Sequence, residues 1–215
     1  HAYLGPSFEN NYHKILLKKN QNRINKARCT IKYIGEENVL CSSIAKSISK
    51  GKVVGWFQGR MEWGPRALGN RSILGDPRLS NMKDILNLKI KRRESFRPFA
   101  PSILREEVSK WFEKDDDVPF MMQVYQIKKN RQKLVPAITH VDGSGRLQTV
   151  QASTNIRYYK LIQEFKKLTN IPIILNTSFN ENEPVVCLPE EALETFLRTK
   201  MDILVLGNWT VVRKN

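Results

Sequence analysis

The sequence is poor in the residues that build metal centres and covalent frameworks. It holds three Cys and three His among 215 residues. Cys29, Cys41 and Cys187 are odd in number and show no CxxC spacing, which argues against both a disulfide framework and a zinc site. Reduced thiols and a cytoplasmic location are the expectation, with no metal site in this chain. Long apolar runs are missing as well. Stretches such as Ile203-Leu204-Val205-Leu206 are far too short to span a bilayer, so no membrane role is expected. No signal peptide opens the chain. Its first residues, His1-Ala2-Tyr3-Leu4-Gly5-Pro6, do not resemble a natural start and suggest a piece of a longer protein. Walker A, GxGxxG, HExxH and GxSxG patterns are all absent, which removes the common nucleotide cradles, zincins and α/β-hydrolase nucleophiles.

Acidic residues are scarce relative to basic ones: 21 Asp+Glu stand against 36 Lys+Arg, a formal net charge of +15. Such a surface attracts phosphates, whether in nucleic acid, nucleotides or phosphorylated metabolites. Hydrophobic residues make up 40% of the chain, enough for a buried core, and charged residues 27%, close to ordinary globular usage. Residues 1–35 are polar and basic and read as a leading arm or interdomain junction. Residues 36–215 read as one domain, with no linker after residue 50.

Apolar periodicity predicts helices at Tyr12–Lys19, Asn38–Lys50, Asn81–Ile90, Arg105–Phe112 and Asn155–Leu168, and one opened by Pro189. Strands are predicted at Val53–Phe57, Phe120–Ile127, Leu147–Val150 and Ile171–Leu175. A hairpin is predicted from Ile203–Leu206 to Trp209–Val212 around Gly207-Asn208. Strands alternating with helices place the fold in the α/β (α+β) class.

Four segments join turn residues to phosphate-binding side chains. Gly59–Arg71 carries three arginines between Gly and Pro turns, and guanidinium groups bind phosphate or carboxylate oxygens in pairs. Lys91–Pro98 sets Lys91 and Arg97 among Phe96, Pro98 and Phe99. Cations in such surroundings need a partner, a ligand or an internal carboxylate such as Glu94. Thr139–Arg146 is a tight turn flanked by His140 and Arg146. Leu175–Asn180 places Asn176, Ser178 and Asn180 after an apolar strand, where α/β proteins gather ligands; a helix cap or Asx turn is the structural alternative.

Taken together, these segments resemble a known family. The sequence reads Gly59-Arg60-x-Glu62-x-Gly64-Pro65-Arg66-Ala67-Leu68-Gly69-x-Arg71-Ser72-Ile73-Leu74, then Asp76-Pro77-Arg78. Further on come Lys91-x-Arg93-Glu94-x-Phe96-Arg97-Pro98-Phe99-Ala100-Pro101-Ser102, Thr139-His140-Val141-Asp142-Gly143-x-x-Arg146-x-Gln148-Thr149-Val150 and Asn176-Thr177-Ser178-Phe179-Asn180. This series is similar to the nodulation and antibiotic-tailoring O-carbamoyltransferases, over nearly the whole chain. Small departures are Ser95 in place of a usual Pro, Gly75 for Ala, and Asn182 for Gly.

The resemblance implies a C-terminal, YrdC/Sua5-like domain: a twisted, mainly mixed β-sheet with helices and an open basic concave face. It implies that this domain joins carbamoyl phosphate to ATP, with Mg²⁺ expected, and releases pyrophosphate to form carbamoyl adenylate. An N-terminal, Kae1-like domain, absent here, would hold iron or another metal and transfer the carbamoyl group to an acceptor hydroxyl. On this reading Lys91, Arg97, Arg146 and Ser178 act in catalysis. Arg66, Thr139, His140, Asn176 and Asn180 bind carbamoyl phosphate or ATP. A homodimer is left open. The alternatives are a YrdC-like RNA or nucleotide-binding module without catalysis, ranked behind because the arginines lack interleaved stacking aromatics, and a domain that only docks its partner. Nucleic acid is therefore not the expected ligand.

Overall fold

The computed structural model describes residues 1–91 and 99–214. The longer helices follow their apolar periodicity. Helix α1 (Asn10–Lys19) buries Leu16 and Leu17, and a short α2 (Gln21–Lys26) buries Ile24. Strand β1 spans Cys29–Tyr33. Helix α3 (Glu37–Ser49) buries Leu40, Cys41, Ile44, Ala45 and Ile48, one stripe at helical spacing. Next come β2 (Val54–Phe57), β3 (Arg71–Gly75) and α4 (Met82–Leu86), which runs into a π-helical turn at Asn87–Lys91.

Strand β4 (Ala100–Leu104) precedes a 3₁₀ turn and α5 (Val108–Trp111). Then follow β5 (Gln123–Gln126), α6 (Lys129–Gln132) and β6 (Ser144–Val150). Helix α7 (Ile156–Thr169) starts at Asn155, whose side chain accepts a hydrogen bond from the Tyr158 amide at 3.2 Å, and stops at Asn170 in the left-handed region. Strand β7 (Ile173–Ser178), α8 (Pro189–Arg198, with Pro at its first position) and the hairpin of β8 (Ile203–Leu206) and β9 (Trp209–Arg213) complete the order.

The described strands form one mixed sheet in the order β1-β9-β8-β2-β3-β7-β4-β6-β5. Pairs β8/β2 and β4/β6 are parallel and the others antiparallel. Central strands β2, β3, β4 and β8 are buried along their whole length. Helices α3 and α7 pack against each other. Cys29 and Cys41 are buried and Cys187 half-buried, all three free; burial pushes the Cys41 thiol up to about 12. No helix among the described residues is long and apolar enough to cross a membrane.

The basic opening segment is built into this sheet. β1 pairs with β9 from Cys29↔Arg213 to Tyr33↔Trp209. Further toward the start, the Gly5 amide donates to the Met61 carbonyl at 2.9 Å, and the Met61 amide to the Pro6 carbonyl at 2.9 Å. Three more departures matter for the site. Strands β3 and β4 occupy segments read from the sequence only as motif and as non-helix. β6 starts at Ser144, so Arg146 lies within a strand rather than a turn. β7 runs on to Ser178, so Asn176 and Ser178 are strand residues, not a loop beyond the strand end.

Candidate functional site

The sheet order brings distant segments together. β7 lies between β3 and β4, and β4 is followed by β6, so Ser178, Ala100 and Arg146 meet at one end of neighbouring strands. A polar cleft of about 100 Å³ opens there, lined by Arg66, Phe99, Met121, Arg146, Asn176 and Ser178 among others. Four residues predicted from sequence therefore share one wall: Arg66, Arg146, Asn176 and Ser178.

Lys91 sits directly behind it. The residue is 3% exposed, and its ammonium donates to the carbonyls of Ser178 (2.7 Å) and Asn180 (2.8 Å), to Asn180 Oδ1 (2.6 Å) and to Ser178 Oγ (3.3 Å). Ser178 Oγ in turn donates to Asn180 Oδ1 at 2.8 Å. A buried cation needs this many oxygens to replace its lost hydration. The result is a rigid mount that aims Ser178 at the cleft. Arg97 lies outside the described residues.

Asn176 is fully buried, and its amide nitrogen is committed to the Ala67 carbonyl, Ser102 Oγ and Gln148 Oε1, each at 3.1 Å. Gln148 Nε2 donates to the Leu68 carbonyl at 2.8 Å. This network pins the 67–68 peptide to the sheet beside Arg66. Asn176 Oδ1 has no hydrogen-bond partner among the described residues, nor does the buried Nε of Arg66.

Thr139 and His140 lie apart from the cleft wall. Thr139 Oγ1 donates to the Val135 carbonyl at 2.9 Å, and Lys83 Nζ donates to the Thr139 carbonyl at 3.1 Å. His140 Nδ1 and Ser144 Oγ are 3.0 Å apart. Burial holds the His140 imidazole below its ordinary range, with Lys83 and Arg146 adding to the effect against Asp142.

The three arginines of the Gly59–Arg71 segment separate. Arg60 holds the leading segment, with Nε to the Gly5 carbonyl (3.0 Å) and Nη2 to the Leu4 carbonyl (2.7 Å). Arg71 is fully buried, stacked 3.6 Å from the Phe57 ring centroid, and donates to the Gln58 and Pro6 carbonyls. Desolvation draws its guanidinium down to about 10, opposed by Glu62. Only Arg66 of the three reaches the cleft.

Sequence reasoning assigned no role to Glu62, which organises the whole loop. Its buried Oε1 accepts from the amides of Leu68 (2.7 Å), Asn70 (2.7 Å) and Arg71 (3.2 Å). A lone acid inside a run of Gly, Pro and Arg was the available signal. Gly69 has φ +103°, and a Cβ there would lie 2.2 Å from the Tyr158 ring.

Comparison with known proteins gives this geometry a setting. A solved structure, full-length HypF in its phosphate- and nucleotide-bound form, superposes with a TM-score of 0.56 at 22% identity, covering 86% of this chain and 23% of that one. That likeness concerns the fold, and agrees with the YrdC-like α/β architecture expected from sequence. The nodulation protein NolO of Bradyrhizobium diazoefficiens is 50% identical over 81% of this chain and 33% of its own length. The 3'-hydroxymethylcephem-O-carbamoyltransferase of Streptomyces clavuligerus is 39% identical over 66% of this chain and 26% of its own. The chain spans about a third of the length of curated relatives it matches. A family model described as Carbamoyltransferase C-terminus matches residues 45–213, which include every cleft residue named above, and the chain belongs to that carbamoyltransferase C-terminal family.

Proposed function

We propose that the cleft binds carbamoyl phosphate and supports its conversion, with ATP, to carbamoyl adenylate for transfer by a preceding domain of the full-length protein. The observation that carries this is the convergence of Arg66, Arg146 and Ser178 from three separate segments on one polar cleft of about 100 Å³. That space suits a small acyl phosphate and leaves the nucleotide's base outside it. Two guanidinium groups match phosphate oxygens in paired hydrogen bonds, and Ser178 supplies a hydroxyl held in place by the Lys91–Asn180 mount.

No covalent enzyme intermediate is needed. Water displaces phosphate from carbamoyl phosphate to give carbamate. A carbamate oxygen then attacks the α-phosphorus of ATP, and pyrophosphate leaves with the α–β bridging oxygen. Both substrates are anionic, so the rate depends on fixed cations that neutralise charge and align the reacting oxygen. Arg66 and Arg146 on the cleft wall and Lys91 behind it supply part of that charge, beside Arg97, which lies outside the described residues.

The test uses the full-length protein with carbamoyl phosphate and ATP. Arg66→Met, Arg146→Met and Ser178→Ala should each lower pyrophosphate release by about 10²-fold or more, the scale of losing one transition-state donor. Release unchanged in all three variants would overturn the assignment.

A further inference from the structure

The surface beside the cleft carries an apolar groove of about 260 Å³ that the proposed chemistry does not use. Its walls are Leu4, Trp63, Pro65, Phe120 and Met122, with Arg66 on the margin it shares with the cleft. Trp63 is 77% exposed, Met122 62%, Leu4 56% and Phe120 46%. Single exposed apolar side chains are ordinary. A contiguous group that includes Trp, Phe and Met marks a surface built to be covered.

We propose that this groove docks the domain that precedes the sequence in the full-length protein, and so places that domain at the margin of the Arg66 cleft. Two observations select this occupant. First, this chain matches only 37% and 33% of the length of two relatives, and the family's own description puts the shared part at the C-terminus. Second, the leading residues are fastened to the loop that bears Trp63. The Trp63 amide donates to the Ala2 carbonyl at 2.6 Å, Tyr3 bridges to Glu62, and Arg60 holds Leu4 and Gly5. Tyr3 Oη also donates to the Leu68 carbonyl at 2.9 Å. Any domain joined ahead of His1 is thereby tethered at the groove, and its effective concentration there exceeds that of a free competitor. A second copy of the chain has no such tether. A nucleobase needs fixed polar groups to hold its edge, and among the described residues the groove offers only Arg66 at its rim and the exposed His1.

The inference rests on the proposed carbamoyl chemistry for what lies beside the docked domain, but the docking itself does not require it. The experiment needs no substrate. Acrylamide quenching is measured on the full-length protein and on its Trp63→Phe variant, and the difference isolates Trp63. Docking is expected to leave Trp63 blue-shifted and quenched several-fold less than free indole. Leu4→Asp combined with Met122→Asp should restore quenching to the solvent level while the protein stays folded by circular dichroism. A Trp63 signal as accessible in the full-length protein as on this bare surface would overturn the proposal. Protection lost on dilution would assign the groove to a second copy, and protection gained only with ATP would assign it to the nucleotide; either would overturn it as well. Pyrophosphate release can fail independently of all these readings.

Discussion

Glu62→Gln isolates the charge that organises the cleft loop. The substitution keeps the side-chain length and one carbonyl oxygen, so the three amide donors from Leu68, Asn70 and Arg71 retain an acceptor. What changes is the strength of those bonds. Hydrogen bonds to a charged group contribute about 1.5–3 kcal/mol each, and neutral ones about 0.5–1.5 kcal/mol. Two of the three are short, at 2.7 Å, so the loss is about 2–3 kcal/mol. For a unit of this size that lowers the melting temperature of its own unfolding transition, within the full-length protein, by roughly 5–10 °C. Because the same loop carries Arg66 and the Trp63 groove, pyrophosphate release should fall with it by about tenfold, a 1.4 kcal/mol effect on the barrier. Glu62→Ala goes further, leaving buried amides without a partner at about 1–3 kcal/mol each. Scanning calorimetry and the pyrophosphate assay on the full-length protein check both numbers. A Glu62→Gln protein that melts within a degree or so of the native one, with full activity, refutes the claim that this carboxylate preorganises the loop.

Other consequences can be checked in the same preparations. Gly69→Ala forces a Cβ into the Tyr158 ring at a positive φ. It should cost about 2–5 kcal/mol from strain and overpacking, seen as a lower midpoint in denaturant titration. Asn176→Asp replaces the donor that faces Ala67, Ser102 and Gln148 with an acceptor, and should destabilise by about 3 kcal/mol or more, whereas Thr177→Ser should not. His13 is buried, and desolvation, reinforced by Arg71, lowers its imidazole to about 4. The unfolded chain binds that proton near pH 6.5 and the folded one does not. Stability therefore falls as pH drops from about 6.5 to 4, by up to roughly 3 kcal/mol. His13→Leu should flatten that slope in melting curves recorded across the window, and an equal slope in both proteins would exclude His13 as its source.

The longer helices α3 and α7 were legible because their buried faces repeat at helical spacing, and α8 from Pro189 and the two acids after it; the short α2 and α6, burying one residue and none, were not. The hairpin of β8 and β9 was legible from Gly207-Asn208 between two apolar runs. Strands β1, β3 and β4 were not, each for a physical reason. β1 is an edge strand with only Cys29 buried, so it carries no alternation. β3 begins with Arg71, whose charge masks a strand buried throughout. β4 contains Pro101, which belongs at edges, yet Pro101 pairs with Leu175 inside the sheet. The site was half legible. Motif residues pointed to Arg66, Arg146 and Ser178, and they do share a cleft. The sequence could not say that Arg60 and Arg71 serve the chain's own carbonyls, or that Asn176 turns its amide inward, because those partners lie up to 109 residues away.

The π-helical turn at Asn87–Lys91 has a bearing on how this region tolerates change. Such a turn holds one more residue than the α-helical turn it interrupts. An α-helix advances by about 100° per residue, and in the π turn the extra residue is absorbed by a wider turn and adds little rotation. Deleting one residue between Asn87 and Ile90 would let the turn close as ordinary α-helix with Lys91 still facing Ser178 and Asn180, whereas a deletion within α4 would swing the ammonium away by about 100°. A length change is thus gentler in this turn than in the α-helical turn before it.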